Sequence, residues 1–199
     1  MNISEIIDLG QGRHKITLED GTIFVLYRKE LEKWKLSEGT PLSENDFREI
    51  KQDILLKRAK KRGLYLLEKQ GRSRSNLMAK LQEGLYPEDV IEQAMTYIES
   101  FGYLDDEKLA RDLVESRRTR KSYREIVGTL QSKGIKQETI QKVMEEHYDE
   151  DYEKEAIQYL MNKKRIHLET FTQQEKNKFF NYLARKGFSY DSIQRVLQD

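Results

Sequence analysis

Several kinds of residue and segment are missing or scarce in this chain of 199 residues. There is no cysteine, which excludes a disulfide scaffold, a thiolate metal site and a cysteine nucleophile. Only two prolines occur, so long helices meet few interruptions. No apolar run reaches the roughly 18 residues of a membrane span, and the N-terminus lacks the basic and apolar regions of a signal peptide. These features predict a cytoplasmic protein with no membrane partner.

Residues that carry catalysis or bind metals are also sparse. The three histidines, His14, His147 and His167, lie far apart in unrelated contexts, and we interpret each as a surface or packing residue. No glycine-rich phosphate loop, HExxH motif or nucleophile elbow occurs. Asp105 and Asp106 form a carboxylate pair at a predicted helix start, where capping is favoured over metal binding. We therefore predict no enzyme, no cofactor and no metal site.

One fifteen-residue pattern occurs three times without a gap. It reads LQEGLYPEDVIEQAM at Leu81–Met95, LQSKGIKQETIQKVM at Leu130–Met144 and LARKGFSYDSIQRVL at Leu183–Leu197. Each copy opens with leucine, has an apolar or aromatic residue five positions later, and has isoleucine ten positions later. A repeat of about 50 residues with helical spacing predicts a stacked array of helical units.

The predicted fold is mainly α, with three tandem three-helix repeats in an elongated, curved array. A small N-terminal β-hairpin element precedes them, because two β-rich runs flank Asp20 and Gly21, a pair that favours a tight turn. Ile3–Ile7 is a candidate third strand. The predicted domains are residues 1–42 for the β element and 43–104, 105–148 and 149–199 for the repeats.

Capping signals divide the predicted repeats into helices. Ser43 begins the first leading helix, and Ser122 and Thr172 each precede a glutamate by three residues, which is the pattern of a capping box. We predict leading helices near residues 46–70, 106–119 and 151–163. Gly63 is a possible weak point in the first of them.

The charged residues, 36% of the chain, give a net charge of only +1, yet they are segregated along it. A basic cluster lies near the junction between the leading and middle helices of each repeat, and such a recurring cluster predicts a positive stripe that contacts phosphate. The alternative is that these cations are solvated and stabilise helix C-termini. The candidate DNA- or filament-binding residues are Lys57, Arg58, Lys60, Lys61, Arg62, Arg72, Arg74, Arg117, Arg118, Arg120, Lys121, Arg124, Lys163, Lys164 and Arg165.

An acidic run occupies residues 145–155, with seven acidic residues and one lysine. Such runs are usually solvated linkers. The functional alternative is a docking face for a basic protein surface.

The stretch Phe101–Ile135 resembles the core of the RecX family, bacterial regulators of the RecA recombinase. Weaker resemblances lie on either side of it, at Arg72–Ser75 with Leu77 and Leu81, and at Ala156 with Tyr159 and Leu160. Gly63 and Leu66 depart from the alanine and tyrosine that members often have, and Lys121–Tyr123 replaces a glycine-rich bend. The positions that match the core signature are Gly102–Asp106, Ala110, Val114, Arg117 and Lys133–Ile135.

This resemblance implies tandem three-helix units that bind in the groove of the RecA–DNA filament. Such a protein limits filament growth or favours disassembly, and so damps strand exchange, ATP hydrolysis and coprotease activity in DNA repair, recombination and the SOS response. The implied partners are the RecA filament and DNA, bound without sequence preference. Single-stranded DNA is the first candidate and double-stranded DNA the second. We expect a monomer.

Two other functions remain open from the residues alone. The basic clusters are compatible with a general nucleic-acid-binding module that has no RecA role. A helical array is also compatible with a scaffold for another protein.

Overall fold

A computed structural model describes residues 1–198, apart from the side chains of Leu168 and Gln198. Asp199, the last residue of the predicted third repeat, lies outside the described residues. The chain divides into two compact units, of which the first is Met1–Leu104 and the second begins at Asp105. The curved array and the bounds of the four predicted domains stay predictions, whereas the mainly helical fold and the N-terminal β element are confirmed.

The first unit begins with a three-stranded antiparallel sheet in the order β1-β2-β3. The strands are Ile3–Gly10 (β1), Arg13–Leu18 (β2) and Ile23–Tyr27 (β3). The predicted turn joins β2 to β3. There Gly21 has a φ of +84° and the Asp20 carboxylate accepts a hydrogen bond from the Thr22 amide at 2.9 Å. The candidate third strand at Ile3–Ile7 is also confirmed, because β1 includes these residues.

Helices follow the sheet and share its core. They are Arg28–Trp34 (α1), Glu44–Glu49 (α2), a π-helical segment at Ile50–Leu56, Lys57–Lys69 (α3), Arg74–Gln82 (α4) and Glu88–Ser100 (α5). One apolar cluster contains buried residues of both the strands and the helices. Within it the ring centroids of Phe24 and Phe47 are 5.3 Å apart, so the sheet and the first helices pack around one core.

The first leading helix runs without interruption through α2, the π-helical segment and α3. Ser43 caps it as predicted, because its side chain accepts a hydrogen bond from the Asp46 amide. The helix continues through Gly63, and the possible weak point there stays a prediction. Gly63 is buried, and a Cβ atom there would lie 2.5 Å from Cδ1 of Ile98. The missing side chain lets α3 and α5 approach closely.

The second unit contains two helical repeats with separate cores. Its elements are Asp106–Glu115 (α6), Tyr123–Ser132 (α7), Gln137–His147 (α8), Glu150–Lys164 (α9), a 3₁₀ turn at Leu168–Thr170, Gln173–Arg185 (α10) and Tyr190–Gln198 (α11). One apolar cluster lies within α6, α7 and α8, and another lies within α9, α10 and α11. The capping boxes predicted at Ser122 and Thr172 are both confirmed.

Two predictions about this unit are corrected. The second leading helix ends at Glu115 instead of residue 119, so Arg117 and Arg118 lie in a turn. The acidic run at 145–155 is not a linker, because it forms the end of α8 and the first turns of α9. The Asp149 carboxylate caps α9 by accepting from two backbone amides, and acidic side chains stabilise that end of a helix.

The fifteen-residue pattern identifies equivalent core positions. Leu81, Leu130 and Leu183 are all fully buried, as the spacing predicts. Four residues after these leucines, the chain takes a left-handed conformation in each repeat, at Leu85, Gly134 and Gly187. Glycine adopts this conformation without penalty, whereas leucine is strained there. The first repeat therefore builds the same turn at a higher conformational cost.

Candidate nucleic-acid interface

The basic residues of the first unit separate into those held by other residues and those that face solvent. Arg58 belongs to the first group. Its Nη2 donates to both carboxylate oxygens of Glu30 at 2.6 and 2.7 Å, and its Nη1 donates to the Val25 carbonyl at 2.9 Å. These bonds tie α3 to β3 and α1, so Arg58 has a structural role.

Three other predicted cations in this unit also contact neighbouring groups. Arg72 donates to the Leu66 carbonyl at 3.3 Å, which helps to close α3. Arg74 forms an ion pair with Glu99 at 2.6 Å. Lys57 pairs with Asp53 at 2.8 Å on an exposed helix face. Exposed pairs of this kind are weak, so Lys57 can exchange its partner for phosphate more readily than Arg58 can.

Lys60, Lys61 and Arg62 have no ion pair within the described part of the chain. Lys60 lies 4.1 Å from the ring centroid of Tyr97, and Arg62 lies 5.7 Å from that of Tyr65. Lys61 and Arg62 are exposed. Two cations that were not among the predicted site residues, Arg13 of β2 and Lys80 of α4, line the same cleft as Lys61 and Arg62.

An exposed aromatic cluster in the first unit was also missed. The ring centroids of Tyr97 and Phe101 are 4.9 Å apart, and those of Phe101 and Tyr103 are 5.9 Å apart with nearly parallel planes. Phe101 is 55% and Tyr103 58% exposed. Helical spacing could have indicated this surface. Met95 and Ile98 are three residues apart and share the buried face of α5, so Tyr97 lies outside that face.

In the second unit, part of the predicted basic cluster points inward. Arg118 donates to the His147 carbonyl at 3.4 Å, and its guanidinium lies 4.0 Å from the Tyr152 ring centroid. Arg117 donates to the Thr129 hydroxyl at 3.3 Å. Both side chains are half-buried, so they stabilise packing within this unit. Arg120 is exposed, with its guanidinium 5.6 Å from the Tyr159 ring.

Lys121 belongs to a polar network that joins the two repeats of this unit. Lys121 and Lys186 both donate to Oε1 of Glu125, at 3.1 and 3.0 Å. Burial raises the pKa of Glu125, but these two hydrogen bonds outweigh it, so the net pKa lies below the usual glutamate value. The hydrogen bond that Lys186 donates to Glu125 raises the pKa of Lys186. The Ser122 hydroxyl also donates to the Lys186 carbonyl at 2.6 Å.

Arg124 is brought together with two cations that the sequence interpretation missed. Arg124, Lys178 and Arg185 line an open cleft of about 950 Å³, whose other lining residues are Asn181 and Ala184. The lining is therefore cationic and lacks a carboxylate. Lys178 and Arg185 lie seven residues apart on α10, and this helical spacing is a signal that could have identified them.

The third predicted cluster lies at the end of α9. Lys163 and Lys164 occupy its last turn, and Arg165 ends the helix with a φ of +55°. All three are exposed, and the Lys164 ammonium lies 4.6 Å from the Tyr182 ring centroid. Cations at this position stabilise the helix dipole, and their exposure also leaves them accessible to phosphate.

One member of the acidic run, Glu153, has a structural role that sequence inspection missed. Its side chain is buried. It accepts hydrogen bonds from the Ser189 amide at 3.2 Å and from the hydroxyls of Ser189 and Ser192 at 2.7 Å. It therefore satisfies donors at the start of α11. No local pattern indicated this role, because its partners lie about forty residues away in sequence.

Residues 1–198 contain no group of three or more histidines, cysteines, aspartates and glutamates that could hold a metal ion. The predicted capping role of Asp105 is confirmed, because its carboxylate accepts from the Lys108 amide at 2.8 Å. His147 lies 3.6 Å from Glu115. A search of the described helices found none that is long and apolar enough to cross a membrane.

The fold defines a protein of three-helix domains that follow a small N-terminal sheet, with exposed cations in both units. Comparison with known proteins identifies two of these domains. The family model described as the first three-helix domain of RecX matches residues 59–97, and the model of the third matches residues 150–197.

Whole-chain comparisons agree with these matches. The regulatory protein RecX of Clostridioides difficile is 27% identical over 191 residues, covering 93% of this chain and 88% of that protein. That of Caldanaerobacter subterraneus is 26% identical over 187 residues, covering 94% and 88%. This chain belongs to the RecX family of regulatory proteins.

Solved structures show the same fold. A crystal structure of a regulatory protein RecX superposes with a TM-score of 0.63 at 24% identity, covering 100% of this chain and 99% of that one. The crystal structure of RecX from Lactobacillus salivarius gives a TM-score of 0.61 at 22% identity, covering 72% and 94%.

Proposed function

We propose that this protein binds the RecA–DNA filament and limits the recombinase, ATPase and coprotease activities of RecA. Membership in the RecX family supports this function. The observation that carries it is that each compact unit presents exposed cations without acidic partners among the described residues. Cations of this kind attract the phosphates of filament DNA through counterion release and without reading sequence.

The cations best suited to this contact are exposed ones that no carboxylate holds. They are Lys61 and Arg62 in the first unit and Lys178 and Arg185 in the second, none of which forms an ion pair with another residue from 1 to 198. Arg58 and Arg118 serve packing instead. Phosphate binding by a cation that has no ion pair does not require an existing ion pair to be broken.

The exposed rings of Phe101 and Tyr103 provide a second kind of contact. Large apolar surfaces of this kind mark protein or nucleic-acid interfaces. A regulator that combines cationic and aromatic surfaces can contact DNA and protein together, so binding itself hinders filament growth and needs no chemical step.

The test is ATP hydrolysis by RecA on single-stranded DNA, with this protein added at substoichiometric amounts. We expect hydrolysis to fall and filaments to shorten in electron micrographs. Unchanged hydrolysis together with unchanged filament length would contradict the proposal.

A charge-matched pair of variants examines the cationic contact. Lys178→Gln with Arg185→Gln should weaken inhibition, because both side chains line the open cleft of the second unit. Lys108→Gln with Lys136→Gln removes the same charge from exposed positions outside that cleft. Equal loss in both double variants would mean that only net charge matters.

A general nucleic-acid-binding module is the second candidate function, and the carboxylate-free lining around Arg124 favours it. The two functions differ in salt dependence. Binding driven by phosphate alone weakens steeply as salt rises, whereas a RecA contact retains affinity. A filament affinity that falls with salt as steeply as the affinity for naked DNA would favour the second function.

A further inference from the structure

A cleft of about 660 Å³ lies within the first unit, between the N-terminal sheet and the first helical repeat. Strand residues Leu9, Arg13 and Tyr27 form one wall, and residues of α3, α4 and the following turn form the other. The cleft therefore exists only because the β element packs against the helices. Its volume is within the range of ligand-binding clefts.

The cleft has a positive lining. Five of its lining residues are cations and one, Glu83, is acidic. Lys80 pairs with Glu83 at 2.7 Å, whereas Arg13, Lys61 and Arg62 form no ion pair among residues 1–198. These three come from opposite walls, so an anion inside the cleft is attracted from two sides.

Exposed aromatic and apolar side chains lie among these cations. Tyr27 is 43%, Tyr65 48% and Leu9 40% exposed. The guanidiniums of Arg58 and Arg62 lie 4.7 and 5.7 Å from the ring centroids of Tyr27 and Tyr65. Surfaces that interleave cations with rings bind single strands, because phosphates meet the charges while unpaired bases stack on the rings. A duplex hides the faces of its bases and cannot use the rings.

The turn that closes the cleft is strained. Leu85 has a φ of +57°, at the position where the other two repeats have glycine. Non-glycine residues in this conformation concentrate at functional sites. The neighbouring Tyr86 is half-buried, and burial raises the pKa of its phenol, so the ring stays uncharged beside the cations. The turn thus places two apolar side chains in a cleft that glycine would leave more open.

We propose that this cleft binds single-stranded nucleic acid, with phosphates on Arg13, Lys61 and Arg62 and a base stacked on Tyr65. The N-terminal sheet is then part of the binding site and more than a cover for the core. This inference rests on the proposed function only for the choice of DNA as the single-stranded ligand.

Fluorescence anisotropy with a labelled thymidine oligonucleotide of about twenty nucleotides tests the site, using the full chain and no RecA. Tyr65→Ala should weaken binding by about fivefold or more, since stacking one base contributes at least about 1 kcal/mol. Tyr65→Phe keeps the ring and should bind as the native chain does. Tyr190→Ala removes an exposed ring from the second unit and should have no such effect.

A second matched pair tests the role of the sheet. Arg13→Gln should weaken binding and reduce the slope of log affinity against log salt by about 0.7, the value for one single-strand phosphate contact. Arg28→Gln removes the same charge from an exposed position on α1 outside the cleft and should leave both quantities unchanged.

The outcomes separate this inference from the proposed function. If Tyr65→Ala and Arg13→Gln bind the oligonucleotide with native affinity, the proposed site in the cleft is overturned, whatever the effect on ATP hydrolysis by RecA. Equal losses for a duplex of the same length also overturn it, because they indicate a general phosphate surface. If the two variants lose affinity only for the single strand, the binding site in the cleft is supported. If the native chain also leaves ATP hydrolysis by RecA unchanged, the proposed function is contradicted while the cleft site is kept. Thermal melting of each variant checks that the fold is kept.

Discussion

Glu125 accepts a hydrogen bond from Lys186 Nζ at 3.0 Å, although 61 residues separate the two in sequence. The pair joins the start of α7 to the residue that follows α10, and the Ser122 hydroxyl reinforces it by donating to the Lys186 carbonyl. The apolar cores of these two repeats are separate clusters. Polar contacts therefore contribute to the joint between the repeats of the second unit.

This pair predicts a pH dependence of stability. Because the pKa of Glu125 is below its ordinary value of 4.5 in the folded chain, its contribution is present above that pH and is lost as pH falls through the lowered pKa. Glu125→Gln keeps the capping geometry but removes the charge. We expect the variant to be less stable at pH 7 by at most about 1 kcal/mol.

The difference between native chain and Glu125→Gln should shrink as pH falls below 4.5. Urea denaturation at several pH values measures it. A difference that stays constant as the solution is acidified would show that the ion pair does not contribute. The pKa of Lys186 is raised above the ordinary lysine value of 10.5. Its contribution to stability is therefore lost only as pH rises through that raised pKa.

Removal of the Glu153 side chain should destabilise the second unit. Glu153→Ala leaves the buried Ser192 hydroxyl without its acceptor, and a buried unsatisfied donor costs about 1–3 kcal/mol. Glu153→Gln keeps one acceptor oxygen and should cost less. Glu155→Ala changes an exposed residue of the same helix and should have little effect. Similar thermal shifts for the residue-153 and residue-155 alanine variants would refute this role.

Two glycines of the second unit should respond to alanine in opposite directions. Gly187 has a φ of +86°, and a Cβ there would lie 2.5 Å from Cβ of Arg124, so Gly187→Ala should destabilise by at least about 1 kcal/mol. Gly128 is inside α7, and an alanine methyl there would meet no tertiary neighbour within 4 Å among the described residues. Gly128→Ala should stabilise by about 0.5–1 kcal/mol. Denaturant midpoints of both variants decide whether the signs differ.

Truncation of a repeat-defining leucine should be costly. Leu130 is fully buried, so we expect Leu130→Ala to lower the free energy of unfolding by about 2–5 kcal/mol. Leu113 is only partly buried against the same core, so Leu113→Ala should lose less. A near-zero change at Leu130, measured by chemical denaturation, would mean that the core position is misassigned.

Periodic apolar residues made the helical repeats predictable. Leu81, Leu130 and Leu183 are buried where a 3.6-residue period places them. The capping boxes at Ser122 and Thr172 were also predictable, because both partners lie within one turn of sequence. Signals of this kind are local, and local patterns can be recognised without knowing the tertiary fold.

Long-range pairing explains what could not be predicted. Arg58 looked like its neighbours Lys60 and Lys61, but Glu30, 28 residues away, holds it in the fold. Likewise Arg118 stacks on Tyr152 of a different repeat. The π-helical segment at Ile50–Leu56 also breaks the period on which helical patterns rely. Charge clusters therefore indicated candidate cations without indicating which of them are accessible.

The division of the apolar side chains into separate clusters has a consequence for how the protein melts. Each cluster can lose its packing while the others persist, so heat or denaturant should open the chain in stages instead of one all-or-none event. A single melting temperature would then describe none of the clusters.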